Sequence, residues 1–274
     1  MNNEVVKKLD IKELRKICQE SKEGWIHRNW FDKNVTRKIS IYITYLMIRL
    51  KLTPNQITFL TLIIGIVGGI FIATGDEIYW LLGFLLLYFS VILDAVDGEL
   101  ARFYNKVSEL GRYLDLFVGY ILHKYILLTI SIGIYVQSNE ILALILGTLC
   151  IIFTSLSAEN NLYKWMITYE YLAKSNITLN LAKSKHKSST NLFINKSLLN
   201  KLEEHVFRSI FDYCYGFSIS WLIMGILDII LREIIIWNSS ISFKFLFLII
   251  YTIAMAFGCI RNHIILIKYI VKNF

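Results

Sequence analysis

Charge and proline are scarce in this sequence. Asp, Glu, Lys and Arg together make up 18% of 274 residues, and there is a single proline. A soluble domain of this length normally carries about a quarter of its residues as charges. The deficit is concentrated in long apolar runs, which excludes a soluble core and points to membrane spans. Cysteine is also sparse. Cys18, Cys150, Cys214 and Cys259 lie far apart, without the spacing of a metal site or a disulfide framework, so they read as small buried hydrophobes. The first 38 residues are polar and charged, so no cleavable signal peptide is expected.

What is present is apolar: 55% of the chain, with a formal net charge of +8 crowded between the apolar runs. A helix crosses the hydrocarbon in about 20 residues. Six segments approach that length: 57–74, 78–102, 110–136, 141–158, 210–231 and 243–260. All but three of the 29 Lys and Arg, the exceptions being Lys124, Arg232 and Lys244, fall before the first span or in alternate connections and the tail. The positive-inside bias therefore places both termini in the cytoplasm and accounts for the basic charge without nucleic-acid binding. The expected architecture is all-α and multi-pass in the cytoplasmic membrane. A polar segment, 1–33, precedes a six-span domain over 34–274, with a cytoplasmic loop over about 166–208. Within 34–51, Ile39, Ile43, Leu46, Met47 and Leu50 recur at helical spacing among Arg and Lys. That pattern predicts an amphipathic helix lying on the anionic leaflet before Thr53-Pro54-Asn55 starts the first span.

The second span ends in Asp94-Ala95-Val96-Asp97-Gly98-Glu99-Leu100-Ala101-Arg102. Carboxylates at this depth are expensive to bury and mark function. With Asp94 at zero on a helical wheel, Asp97, Gly98 and Ala101 fall at about −60°, +40° and −20°. Two carboxylates and two small residues thus share one face. Glu99 falls near about 140° and points away, so Glu99→Gln is expected to leave the site intact. On the third span Gly111 and Asp115 stack four residues apart, and the short turn brings Asp115 back toward Asp94 and Asp97. Three facing carboxylates form an oxygen-rich site suited to Mg²⁺ and, through it, to phosphates. The plainer alternative is an intramembrane ion pair such as Asp94 or Asp97 with Arg102.

Asp94, Asp97, Gly98, Ala101, Arg102, Gly111 and Asp115 resemble, in order and spacing, seven of the eight fixed positions of the CDP-alcohol phosphotransferase signature. The Thr53-Pro54-Asn55-Gln56-Ile57-Thr58 lead-in, the preceding amphipathic helix and the six-span plan are similar to that family too. The resemblance implies a CDP-alcohol donor bound at the cytoplasmic membrane surface and transfer of its phosphoryl-alcohol group to an acceptor hydroxyl, with release of CMP. It implies Asp94, Asp97 and Asp115 as ligands of Mg²⁺ or Mn²⁺, Gly98, Ala101, Arg102 and Gly111 as the CDP pocket, and a homodimer. The acceptor is expected to be a lipid or a polyol phosphate, and Arg112 and Arg102 are available to an acceptor phosphate.

The eighth position, an aspartate and general base in that family, is Gly119 here. His123 is about 12 Å along the axis from Asp115 and about 80° around it, too deep to reach the site. Glu159 and Asp212 are better placed by depth, and Asp115 itself is a further candidate base. Gly119 also leaves open a second reading, a catalytically silent relative that binds nucleotide or serves as a structural subunit.

Overall fold

The computed structural model describes residues 10–20, 32–106, 108–174, 216–231, 234–236 and 239–273. Helix α1, Ile11–Arg15, continues as a wider helical turn over Lys16–Glu20, and a similar turn, Asp32–Thr36, leads into α2, Arg37–Arg49. Then come α3, Pro54–Ala73, α4, Glu77–Phe103, α5, Glu109–Ser138, and α6, Leu142–Lys174. After α7, Gly216–Leu231, a hairpin of β1, Ile234–Ile236, and β2, Ser239–Ile241, leads into α8, Phe243–Asn273. Apart from this hairpin the described chain is helical.

Among the described residues, four helices are long and apolar enough to cross a membrane: Pro54–Ala73, Glu77–Phe103, Glu109–Ser138 and Phe243–Ile265. They make this a multi-pass membrane protein. Two shorter apolar stretches, Leu142–Ser157 and Trp221–Ile230, lie where the fourth and fifth spans are expected. The expected loop over about 166–208 needs one correction, because helix α6 runs on to Lys174 before the described residues end.

Local chemistry sets the helix ends. Pro54 occupies the first turn of α3, and the Thr53 N–H donates to Gln56 Oε1 at 2.8 Å. Gly75, at φ 75°, makes the tight turn into α4, whose first N–H groups are capped by Asp76 Oδ1. Asn105, at φ 50°, helps reverse the chain before Ser108 caps α5 through the Gly111 N–H at 3.0 Å.

With lipid outside, apolar burial gives little drive for helix pairing, so close approach depends on small residues. Helices α3 and α4 meet where a Cβ on Gly83 would lie 2.6 Å from the Gly68 carbonyl oxygen. One turn further, Gly133 of α5 lies directly against the Ile72 carbonyl. Around these crossings Ile72, Trp80, Phe84, Ile130, Trp221, Phe247 and Tyr251 form a buried cluster joining α3, α4, α5, α7 and α8. A second cluster, Leu14, Cys18, Ile41, Ile48, Ile57, Leu93, Val96 and Leu100, packs α1 and α2 onto the end of α4 that carries the carboxylates.

Helix α2 lies within the 34–51 stretch, and its inner and outer sides differ. Ser40, Ile41, Thr44 and Ile48 are buried toward α4, whereas Ile39, Tyr42, Leu46 and Leu50 are exposed on the outer side.

Candidate active site

Three helices build the site. Asp94 and Asp97 stand one turn apart near the end of α4, and the capped turn at Ser108 sends α5 back so that Asp115 meets them. The ligand oxygens of Asp94, Asp97 and Asp115 all lie within 4.8 Å of one another, with Asp94 and Asp97 on one face of α4 and Asp115 returned to them by the short turn. The third helix is α3, whose Thr58 Oγ1 donates to Asp97 Oδ2 at 2.6 Å. Thr58 and Asp97 are both buried, so this bond fixes the carboxylate's rotamer in a low-dielectric setting. Thr58 belongs to the lead-in to the first span, yet its position four residues after Pro54 carries no sign of its carboxylate partner.

The small residues open the adjoining space. A Cβ on Gly98 would meet the Arg102 guanidinium, at 3.4 Å from one terminal nitrogen, so that guanidinium lies across the bare backbone of Gly98. A Cβ on Gly111 would sit 3.1 Å from Ser108 Oγ and 3.6 Å from Asn55 Oδ1, which brings Asn55 to the same mouth. Ala101 is half-buried on the same side of α4. Arg112 stands at the rim, paired at 3.4 Å with Glu109, both side chains exposed. Such exposed pairs are weak, which leaves Arg112 available to a ligand.

Arg102 is held by another element. Its Nε donates at 2.6 Å to the carbonyl of Cys18, in the helical turn that follows α1. The Cys18 thiol is buried, and burial followed by the nearby Glu99 charge pushes its pKa up to about 12. It stays protonated and unreactive, in keeping with the reading of the cysteines. Cys150 and Cys259 are likewise free and buried, and Cys214 lies outside the described residues.

Glu99 points away from the three aspartates, as expected, but its side chain is far from idle. It is fully buried and accepts four hydrogen bonds. Oε1 takes Gln19 Nε2 at 2.8 Å, Arg37 at 3.1 Å and Ser40 Oγ at 2.7 Å, and Oε2 takes Thr44 Oγ1 at 2.6 Å. The wheel places Glu99 off the aspartate face but carries no sign of these four donors, so Glu99→Gln would disturb this buried network rather than the carboxylate cluster.

Among the candidate bases, His123 is buried deep in α5, away from the cluster in sequence by two helical turns. Its neighbour Lys124 donates to Thr154 Oγ1 at 2.7 Å and to the Ile151 carbonyl at 3.4 Å on α6, a tie between spans. Glu159 is exposed on α6, and Asp212 lies outside the described residues. Gly119 sits one turn after Asp115 and is half-buried.

This carboxylate cluster falls inside a longer similarity. The profile of the family described as CDP-alcohol phosphatidyltransferase matches residues 51–271. The chain belongs to that family. It is also similar to the bifunctional IPC transferase and DIPP synthase of Thermococcus kodakarensis, at 31% identity over 106 residues, covering 39% of this chain and 23% of the relative. The protein of the same name from Aquifex aeolicus is 28% identical over 106 residues, covering 39% and 24%. The archaetidylinositol phosphate synthase of Pyrococcus horikoshii is 29% identical over 110 residues, covering 40% of this chain and 57% of the relative. The chain thus spans about a quarter of the length of the bifunctional relatives and just over half of the synthase. Family members typically depend on a divalent metal, and among the described residues the three-aspartate cluster is a group of side chains that could hold one.

Proposed function

We propose that this protein transfers a phosphoryl-alcohol group from a CDP-alcohol to an acceptor hydroxyl and releases CMP. The observation that carries the reading is the convergence of Asp94, Asp97 and Asp115 within 4.8 Å inside the family's matched region. Carboxylates this close repel one another unless protons or a cation stand between them, and an oxygen-only donor set fits a hard divalent ion such as Mg²⁺ or Mn²⁺. Asp94, Asp97 and Asp115 would hold it. When bound, the ion supplies charge neutralisation for the donor pyrophosphate.

The chain's own residues do the rest. Thr58 holds Asp97 in its rotamer. Gly98 lets the Arg102 guanidinium lie against the α4 backbone, where it can pair with phosphate oxygens, and Ala101 and Gly111 keep the adjoining space small-walled. Asp115 stands one turn before Gly119, and with glycine at that position it is assigned the proton of the acceptor hydroxyl. The acceptor is a polyol phosphate such as inositol phosphate. The name of archaetidylinositol phosphate synthase supports that class, and Arg112 at the rim offers a partner for its phosphate.

The setting follows from charge and hydropathy. Helices α6 and α7 complete six spans, the basic connections face the cytoplasm, and the active site opens on that side. Helix α2 lies on the leaflet with Ile39, Tyr42, Leu46 and Leu50 toward the acyl chains. The working unit is a homodimer, as the family resemblance implies. Gly119 is the one observation on the side of a catalytically silent relative, and the retained carboxylate cluster weighs against it.

The test is reconstitution in liposomes with a CDP-linked lipid, inositol phosphate and Mg²⁺, with products read by mass spectrometry. A phosphodiester joining lipid and inositol phosphate is expected, together with CMP. CMP release only with unphosphorylated acceptors would overturn the acceptor class, and no product with any acceptor would overturn the transferase reading.

A further inference from the structure

Glu99 is a buried, charged group that the proposed chemistry does not use. Burying a carboxylate is costly unless its oxygens are satisfied, and here four donors meet it. All four come from the segment before the first span: Gln19 from the turn after α1, and Arg37, Ser40 and Thr44 from α2. Gln19 spends its two amide hydrogens on Glu99 and on the Arg37 carbonyl, also at 2.8 Å. Arg37 in turn donates to the Ala95 carbonyl at 3.3 Å and pairs with Asp32 at 3.4 Å. The next residue back from Gln19 is Cys18, whose carbonyl receives Arg102. Consecutive residues of one helical turn therefore grip Glu99 and Arg102, which are three apart on α4.

We infer that Glu99 is a positioning residue: it anchors the 11–20 segment on α4, and through the Cys18 carbonyl that segment aims the Arg102 guanidinium across Gly98. The inference rests on the proposed donor site at Gly98 and Arg102. If the anchor loosens, the Cys18 carbonyl moves and the guanidinium loses the bond at Nε that sets its direction. Donor affinity then falls while the three aspartates remain in place.

The probe is cytidine diphosphate with Mg²⁺, titrated calorimetrically against the full chain in detergent. The variants are Glu99→Gln, Arg102→Lys and the double substitution. Arg102→Lys keeps the charge but removes the Nε–H that reaches Cys18. Glu99→Gln is expected to raise the CDP Kd about tenfold, the scale of one charge-assisted hydrogen bond. The double variant is expected to bind as Arg102→Lys does alone, because both changes break one linkage. Backbone hydrogen exchange over 11–20 is expected to quicken in Glu99→Gln while that of α5 stays unchanged. Thr44→Val, which removes only the bond to Oε2, should shift both readouts the same way by less, and it decides the matter if Glu99→Gln does not fold. Additive losses in the double variant, an unchanged Kd in folded variants, or wild type that fails to bind CDP would each overturn the inference. Wild type that binds CDP but releases no CMP contradicts the transferase reading alone.

Discussion

Thr58 and Asp97 are joined by a 2.6 Å hydrogen bond that crosses from the first span to the second. It occupies Oδ2 and orients the carboxylate beside Asp94 and Asp115. Partners that orient a metal-ligating carboxylate typically contribute ten- to a hundredfold to metal affinity or activity. Thr58→Val should therefore raise the Mg²⁺ concentration needed for half-maximal CMP release by about ten- to a hundredfold, and Thr58→Ser by much less. A metal titration of activity reads this directly. An unchanged requirement in Thr58→Val would separate Asp97 from the metal.

At the far end of the bundle, Lys244 and Asp228 form a buried pair at 3.3 Å, with Lys244 also donating to Gln137 at 3.0 Å and lying over the Trp80 ring. Removing one partner of a buried pair leaves a charge without compensation, at about 3–5 kcal/mol. Lys244→Met should lower thermal stability in detergent by that scale. Adding Asp228→Asn, which removes the stranded charge, should recover most of the loss. Thermal unfolding of the three variants checks the sign and the recovery.

Gly119 occupies the position of a carboxylate in the family signature. A general base contributes about 10²–10⁴-fold to rate. If Asp115 takes the proton, Gly119→Asp leaves CDP binding intact and either preserves or raises CMP release. Loss of turnover with CDP binding retained would mean that the glycine makes room for the acceptor. CMP release that appears only in Gly119→Asp would identify wild type as a silent relative.

Orientation is tested at two exposed positions on opposite ends of the helix pair, Lys106 after α4 and Glu140 after α5. Single cysteines there, in a background with the native thiols replaced, should label from opposite sides in intact cells, with Lys106→Cys protected from outside. Labelling of Lys106→Cys by an impermeant reagent would reverse the topology.

Much of this was legible before any coordinates. The 3.6-residue period places Asp94 and Asp97 on one face with Glu99 off it, and the short turn returns Asp115, because local periodicity encodes both. Other contacts had no local signal. Thr58 meets Asp97 only because α3 and α4 close on each other at Gly68 and Gly83. Gln19 reaches Glu99 across 80 positions of sequence, a distance over which hydropathy says nothing. The inner face of α2 had no such signal either. Its buried side includes Ser40 and Thr44, which pack inward onto the Glu99 carboxylate, while the apolar spacing picks out residues of the outer side.

The central claim is that Asp94, Asp97 and Asp115 together support metal-dependent phosphotransfer, and its most direct measurement is CMP release by purified protein. Wild type, supplied with a CDP-alcohol, a polyol phosphate and Mg²⁺, should release CMP, and chelation by EDTA should stop it. Asp94→Asn, Asp97→Asn and Asp115→Asn should each abolish release while the protein stays folded and monodisperse. CMP release that survives in any one of the three folded variants, or that ignores EDTA, would contradict the account.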